Sequence, residues 1–211
     1  MNGAEPLQYD FGFPHFRRDR FGPPRRRIGR ELILPVGPHR LFFAIIPDSA
    51  TAALIWALAL EFQRRLGLFG SRLKPANLHM TVLFLGGFPV LTDGLVSMAR
   101  QIGGGIRAAP FEFTFDRTLS FLNRDRYPFV LSGDAGWSEF GLLQQSTWIA
   151  SALEGKTPIS TPHMTLIWGD KLIPAAPLER PVSLAAEEIV LVHSHYGTGR
   201  HEHLGRWRLR G

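Results

Sequence analysis

The chain has 211 residues, of which 45% are hydrophobic and 20% charged, proportions that are ordinary for one folded domain. It contains no cysteine, which excludes disulfide bonds, thiolate metal sites and a cysteine nucleophile, and we therefore expect a cytoplasmic protein. The longest apolar run, at 50–60, is about half of the ~20 residues that a membrane-spanning helix needs, and no apolar signal segment opens the sequence, so no membrane association is expected.

Half of the net charge of +6 lies in the first 39 residues. This segment mixes seven Arg with four carboxylates, Pro, Gly and isolated aromatic residues, and it has no helical or strand period. We predict a flexible arm over residues 1–39, followed by a single domain over residues 40–211. The arm is interpreted either as a contact for RNA phosphate or as a solvated tail without a specific partner.

The domain is predicted in chain order from its apolar periodicity and its turn residues. Asp48 or Ser49 is expected to cap the first helix, which Gly67 and Gly70 close. A second helix is predicted to stop at the triple glycine 103–105. The predicted strands are 40–46, 77–87, 111–117, 127–133, 163–169, 186–196 and 203–211, and the second and third helices are 92–102 and 137–153.

The string His-Met-Thr-aliphatic occurs twice on predicted strands, at His79 and, 84 residues later, at His163. Residues i and i+2 of a strand share a face, so His79 projects with Thr81 and His163 projects with Thr165. A single pair of this kind is more often a satisfied, half-buried pair than a functional one. Its recurrence indicates two similar units and favours a pseudo-symmetric, two-lobed α+β architecture.

Two such pairs facing each other across a cleft can combine acid–base catalysis with phosphate binding. One imidazole can act as general base and the other as general acid, while two hydroxyl groups hydrogen-bond the oxygens of a phosphate. This arrangement suits in-line displacement at phosphorus without a metal. The spacing alone does not decide which histidine has which role.

Four stretches of the sequence resemble the 2H phosphoesterase superfamily, specifically the bacterial RNA 2′,3′-cyclic phosphodiesterases that are also described as 2′-5′ RNA ligase-like. They are "RLFFAIIP" at 40–47, "LKPANLHMTVLFLG" at 73–86, "TPHMTLIWG" at 161–169 and the tail at 189–209. The resemblance implies a bilobal α+β fold with an antiparallel sheet and flanking helices in each lobe, and an active cleft between the lobes. It implies hydrolysis of RNA or nucleotide 2′,3′-cyclic phosphate ends to 2′-phosphates, with weak reverse 2′-5′ ligation, and no metal or other cofactor.

The resemblance also implies residue roles. His79 would be the proton donor to the leaving oxygen and His163 the proton acceptor that activates water, while Thr81 and Thr165 would contact the phosphate. The expected partner is an RNA or nucleotide with a 2′,3′-cyclic phosphate, and the protein is expected to be a monomer. The alternative is a non-catalytic module that binds an RNA terminus and gains affinity from the Arg-rich arm.

The sequence departs from this family pattern at Trp168, where related enzymes often carry a basic residue. Arg126, Lys171 or another cation would then have to supply the positive charge. Phe84 stands at the matching place after the first motif, and both aromatic residues could stack on a nucleobase. Strict alternation would turn Phe84 and Trp168 away from the histidines, so they either pack in the core or depend on a bulge or a strand end.

Two His-x-His pairs lie near the end of the sequence, formed by His193 with His195 and by His201 with His203. Such pairs can bind zinc or nickel. Apart from Glu202 no carboxylate lies near them, and we therefore favour a role at the rim of a pocket or in solvent over a metal site. The resemblance further suggests that His201 replaces a tyrosine close to the final turn.

Overall fold

The computed structural model of the chain describes residues 37–123, 126–153 and 160–211. The predicted arm therefore lies almost wholly outside the described residues, although His39 is already the first residue of a strand. The elements are β1 (His39–Ile45), α1 (Ser49–Arg65), β2 (Gly70–Arg72), a 3-10 turn (Pro75–Asn77), β3 (Met80–Phe88), α2 (Asp93–Gly105), β4 (Phe111–Ser120), β5 (Tyr127–Ser132), α3 (Trp137–Ser151), β6 (His163–Gly169), β7 (Ala176–Ala186), β8 (Glu188–His195) and β9 (Arg200–Arg208). No helix among these described segments has the length and apolar character needed to span a membrane.

The strands form one antiparallel sheet in the order β7-β4-β5-β6-β3-β1-β8-β9, with β2 paired to β6. It consists of two halves, which we call the first half-sheet (β3-β1-β8-β9) and the second half-sheet (β7-β4-β5-β6). They meet where β3 pairs with β6, with Met80 opposite Met164. Because β1-α1-β3 and β5-α3-β6 have the same strand-helix-strand arrangement, the predicted two-lobed α+β fold is confirmed.

The helices cover one face of the sheet, which we call the helix face. Helix α1 follows β1 of the first half-sheet but contacts β6 and β7 of the second. Helix α3 follows β5 of the second half-sheet but contacts β3 of the first, as well as β4. Both helices therefore connect the two half-sheets. The core lies between these helices and the sheet, and its largest fully buried side chains include Phe43, Phe113, Phe115, Phe129 and Phe140. Burial of each such side chain contributes about 1.5–3 kcal/mol, which holds the two halves together.

The opposite face, which we call the site face, carries a smaller apolar cluster on β1 and β8. Its buried members are Phe42, Ala44, Val190 and Val192, and the half-buried Phe84 of β3 packs against them. Alternation along β1 therefore assigns even-numbered residues to the site face and odd-numbered residues to the helix face.

Helix α2 was predicted to end at residue 102, but it includes the triple glycine and ends at Gly105. Thr92 caps the helix by accepting a hydrogen bond from the Leu95 amide, and the helix continues through Gly103 to Gly105. A Cβ atom at Gly103 would lie 2.5 Å from the Trp207 ring. The glycine at this position therefore allows the indole of β9 to pack directly on the helix.

Strands β2 and β7 are missing from the sequence-based assignment. Strand β7 contains Pro177 and Pro181, residues that normally argue against a strand. It lies at the edge of the sheet and pairs only with β4 among the described strands, where a missing amide donor is tolerated.

The predicted cap of the first helix is confirmed, since Asp48 accepts a hydrogen bond of 2.8 Å from the Thr51 amide.

Candidate active site

The two repeated motifs lie side by side at the junction of the half-sheets. Met80 and Met164 are opposite each other and fully buried on the helix face, so the residues next to them project to the site face. His79 and His163 are thus diagonal neighbours across the junction, with Cα atoms about 7–8 Å apart. The structure brings together the two histidines that the sequence predicted as a pair.

The two motif threonines complete an arrangement with approximate two-fold symmetry. Each threonine lies two residues after its histidine, next to Met80 or Met164, and therefore projects with it to the site face. All four side chains are half-buried. Neither threonine hydroxyl has a hydrogen-bond partner among the described residues, so both can donate to an oxygen of a ligand.

Each imidazole is oriented in the same way by the backbone just before its strand. His79 Nδ1 lies 2.7 Å from the Asn77 carbonyl oxygen, and His163 Nδ1 lies 2.7 Å from the Thr161 carbonyl oxygen. A carbonyl only accepts, so Nδ1 carries the hydrogen in both rings and Nε2 is the nitrogen that exchanges a proton. Asn77 is held in turn, because its Nδ2 donates to the Gly199 carbonyl oxygen at 2.7 Å.

Burial changes the acidity of both imidazoles. The pKa of His163 is lowered to about 4; burial is the largest cause, the charge of His79 acts in the same direction, and the hydrogen bond to Thr161 opposes both. Burial also lowers the pKa of His79, partly offset by the hydrogen bond to Asn77. The two rings are therefore close enough to affect each other electrostatically, and His163 is neutral near pH 7.

Aromatic rings pack against both histidines. The ring centroid of Phe42 lies 4.9 Å from that of His79, and the Phe121 centroid lies 4.8 Å from that of His163. His201 of β9 adds a third imidazole, with its centroid 5.4 Å from that of His79. The rings of Phe42 and Phe121 contribute to the burial that lowers the pKa of the two histidines.

Two β-bulges decide where Phe84 and Trp168 point. In β3 the register shifts at Val82, and in β6 it shifts at Leu166, so the bulges occupy equivalent positions 84 residues apart. Each bulge adds one residue to the alternation and returns the aromatic side chain to the site face. Phe84 packs beside Phe42 there, and both Phe84 and Trp168 are half-buried.

Of the cations predicted to replace a basic residue at Trp168, one lies beside it. Arg126 Nη1 is 3.4 Å from Ser71 Oγ, and Ser71 is directly opposite Trp168 in the β2–β6 ladder. Lys171 lies elsewhere, with its Nζ next to Gly67 at the end of α1. Arg126 is therefore the candidate for the positive charge near this end of β6.

The two His-x-His pairs of β8 and β9 lie on opposite faces of the sheet. Along the β8–β9 ladder, His201 is opposite Ser194 and His203 is opposite Val192, which places both on the site face. The charge of His203 is one of the causes that lower the pKa of His79, consistent with this placement. His193 and His195 lie on the helix face, away from the candidate active site.

Comparison with known proteins connects this geometry to a family. A family model described as LigT-like phosphoesterase matches residues 46–131, a range that includes His79 and Thr81. The solved structure of E. coli LigT with 3′-AMP is similar, with a TM-score of 0.62 and 26% identity over 82% of this chain and 99% of that chain. The apo form of E. coli LigT matches with a TM-score of 0.63 and 27% identity over 82% of this chain and 98% of that one.

A protein of Thermus thermophilus shares the fold, with a TM-score of 0.59 and 20% identity over 82% of this chain and 98% of that chain. No curated protein sequence matches. The predicted resemblance to the 2H phosphoesterases is confirmed, because both the family model and these solved structures are similar to this chain. The similarity to E. coli LigT extends over almost the whole length of that protein.

Proposed function

We propose that this protein hydrolyses 2′,3′-cyclic phosphates at RNA or nucleotide ends and leaves 2′-phosphates. The observation that carries this proposal is the pair of imidazoles at the junction, each with Nδ1–H held by a carbonyl and each next to a motif threonine. E. coli LigT has been solved with 3′-AMP and with phosphate, which supports a nucleotide phosphate as the ligand.

His163 is the proton acceptor in this proposal. Its pKa, lowered to about 4, keeps the ring neutral at physiological pH, so Nε2 can take a proton from water as the water oxygen bonds to phosphorus. His79 is the proton donor. It gives its Nε2 proton to the 3′ oxygen as the bond between phosphorus and that oxygen breaks, which yields a 3′-hydroxyl and a 2′-phosphate.

The anionic substrate makes this division of roles workable. Burial lowers the pKa of His79 in the free protein, and a phosphate charge next to the ring raises it again, which favours the protonated donor in the complex. Because the imidazoles supply both acid and base, the chemical step needs no metal. The same groups in exchanged roles would catalyse weak 2′-5′ ligation.

The remaining predicted residues bind the substrate. Thr81 and Thr165 donate to the non-bridging oxygens of the phosphate, since each threonine shares the site face with the histidine two residues before it. Phe84 and Trp168 face the same side and stack on nucleobases, while Arg126 beside Trp168 contributes positive charge.

Alanine substitution of each histidine tests the proposal. In EDTA, His79→Ala and His163→Ala should each lower the turnover of a dinucleotide with a 2′,3′-cyclic phosphate by about 10²–10⁴-fold, the usual contribution of a positioned acid or base. Melting temperatures should change by only a few degrees, because both rings are half-buried. Full activity of the double variant would refute the roles, and tight binding without turnover by the unaltered protein would establish the RNA-terminus-binding alternative.

A further inference from the structure

Three histidines converge on the helix face, at the end of β1 and β8. His39 is directly opposite His195 in the β1–β8 ladder, and His193 is two residues from His195 on the same strand. All three continue the odd-numbered series that contains the core residues Leu41 and Leu191. The sheet therefore separates this cluster from His79 and His163.

The three rings are close enough to share one ion. One ring nitrogen of each residue lies within 4.8 Å of those of the other two, and His39 Nδ1 is 3.0 Å from His193 Nε2. The ring centroids are 4.1 to 5.7 Å apart. His193 is only 4% exposed, so its ring is more stable neutral, the form that binds a metal ion, than protonated.

Glu202 of β9 is directly opposite His193 in the β8–β9 ladder and contacts two of the three histidines. Its Oε2 lies 3.4 Å from His193 Nδ1, its Oε1 lies 3.3 Å from His195 Nε2, and it pairs with Arg200. A carboxylate at Nδ1 of His193 holds the hydrogen there and leaves the lone pair of Nε2 directed at His39. Metal-bound histidines have this arrangement, in which the second ring nitrogen donates to a carboxylate.

A buried nitrogen of His195 without a good hydrogen bond is a second indication of a bound ion. His195 Nε2 is buried and has no well-aligned hydrogen bond to any described residue, even though Glu202 is near. Buried polar nitrogens are normally satisfied, and one that is not calls for a physical explanation. A metal ion supplies one, either by binding this nitrogen or by drawing the ring and Glu202 into alignment.

We propose that His39, His193 and His195 bind one Zn²⁺ ion, with Glu202 fixing the ligand orientation. Neutral imidazole suits zinc, whereas calcium and magnesium require several oxygen ligands that the cluster does not offer. With Zn–N distances of about 2.0–2.1 Å, tetrahedral ligand nitrogens lie roughly 3.3 Å apart. Side-chain movements of about 1 Å within the present spacing therefore suffice, and a water molecule takes the fourth position.

The ion has a structural role, because it cannot reach a phosphate on the other face of the sheet. It joins β1 to the β8–β9 hairpin, whose turn residue Gly199 accepts the hydrogen bond of Asn77. Asn77 in turn provides the carbonyl that orients His79. The zinc site thus stabilises the framework behind one catalytic histidine, and it does not depend on the proposed reaction.

The experiment uses the full chain without a polyhistidine tag, stripped with EDTA, dialysed and titrated with Zn²⁺. Isothermal titration and elemental analysis should give one zinc per chain and a melting temperature several degrees higher with zinc than without. His39→Gln and His195→Gln should each weaken zinc binding at least 10-fold and remove the thermal shift. These two residues are less buried than His193, and each glutamine keeps a polar side chain of similar reach.

His203→Gln is the matched control, because it removes an exposed imidazole from the other face of the neighbouring strand and should leave zinc stoichiometry unchanged. Cobalt substitution provides a spectroscopic check, since three-histidine tetrahedral Co²⁺ absorbs visible light strongly and a surface-bound ion does not. The proposal is overturned if the unaltered chain binds no stoichiometric zinc, or if His203→Gln abolishes binding while His39→Gln does not. Hydrolysis of the cyclic phosphate in EDTA is scored separately, so failure of one proposal leaves the other standing.

Discussion

At the scale of single residues, the candidate active site is built from short-range contacts. Each imidazole is held by the carbonyl two residues before it, at the same distance of 2.7 Å in both motifs. The orientation therefore comes from the local backbone before each strand and not from a distant partner. For this reason the His-x-Thr string is informative in the sequence, where only local relations can be read directly.

The threonine hydroxyls are expected to act on the phosphate and not on folding. Thr81→Val and Thr165→Val should each reduce kcat/KM for a cyclic phosphate by about 10- to 100-fold, because a hydrogen bond to a charged group contributes about 1.5–3 kcal/mol. Steady-state kinetics with melting curves would measure this. The control is serine at each position, which keeps the hydroxyl and should retain most activity; equal losses for serine and valine would assign the effect to packing.

The histidine cluster on the helix face marks the limit of residue-level prediction. His39 and His193 are 154 positions apart, and their contact depends on β8 pairing with β1. No local period carries that information, and His39 also falls at the boundary of the predicted arm. The sequence thus provided the His-x-His pairs but not the faces on which they lie.

At the scale of elements, the two bulges decide which side chains of β3 and β6 reach the site face. Alternation alone assigns Phe84 and Trp168 to the core, and the register shifts at Val82 and Leu166 reverse that assignment. A bulge leaves little trace in one sequence, because its cause is the pairing of two strands. The sequence predicts that Phe84 and Trp168 need a bulge or a strand end to reach the histidines, but only the structure shows that the bulges are present.

Trp168→Ala should weaken nucleotide binding while leaving phosphate binding unchanged. Stacking on an aromatic ring contributes about 1–3 kcal/mol per base, so the Kd for 3′-AMP should rise roughly 5- to 150-fold. Titration calorimetry with 3′-AMP and with inorganic phosphate separates the two effects, and Trp168→Phe keeps a stacking ring as control. A parallel loss of affinity for both ligands would show that Trp168 shapes the site and does not stack.

The glycines near the end of α2 offer a matched pair of substitutions. Gly103→Ala should destabilise the fold by about 1–3 kcal/mol, because the new Cβ would meet the Trp207 ring at 2.5 Å. Gly104→Ala places a methyl group where nothing lies within 4 Å, and it should stabilise the helix by up to about 1 kcal/mol. Urea denaturation of both variants measures the difference, and equal shifts would contradict the packing of Trp207 on the helix.

At the scale of the whole molecule, most of the architecture follows from sequence patterns. The repeated motif indicates two similar units, and the buried strands and α1 follow from apolar periodicity and the cap at Asp48. Strand β7 could not be predicted because its prolines are acceptable only at an edge, and its edge position is a property of the assembled sheet.

The buried histidines should make the fold sensitive to acid. The pKa of His163 is about 4 in the folded protein and about 6.5 in the unfolded chain, so the unfolded chain binds a proton first as pH falls. The free energy of unfolding is therefore unaffected by His163 above pH ~6.5 and falls as the pH drops from ~6.5 to ~4. The total loss caused by His163 is on the order of 3 kcal/mol. The lowered pKa of His79 acts in the same direction.

Urea denaturation at pH 7.5, 5.5 and 4.5 measures this loss. The variant His163→Gln keeps a polar side chain without a titrating ring, and its free energy of unfolding should fall less steeply over the same range. Carboxylates titrate equally in both proteins and cancel in the comparison. Identical slopes for the two would mean that His163 is not desolvated in the folded state.

The order of strands in the sheet has a consequence for biosynthesis. The second half-sheet comes from one stretch of the chain, β4 to β7, so its strands can pair as soon as that stretch has left the ribosome. The first half-sheet combines β1 and β3 with β8 and β9, which are translated after all the others. The strand that follows His79 therefore waits for the last hairpin before its sheet is complete, and during that interval the edge of β1 is exposed to chaperones and to aggregation.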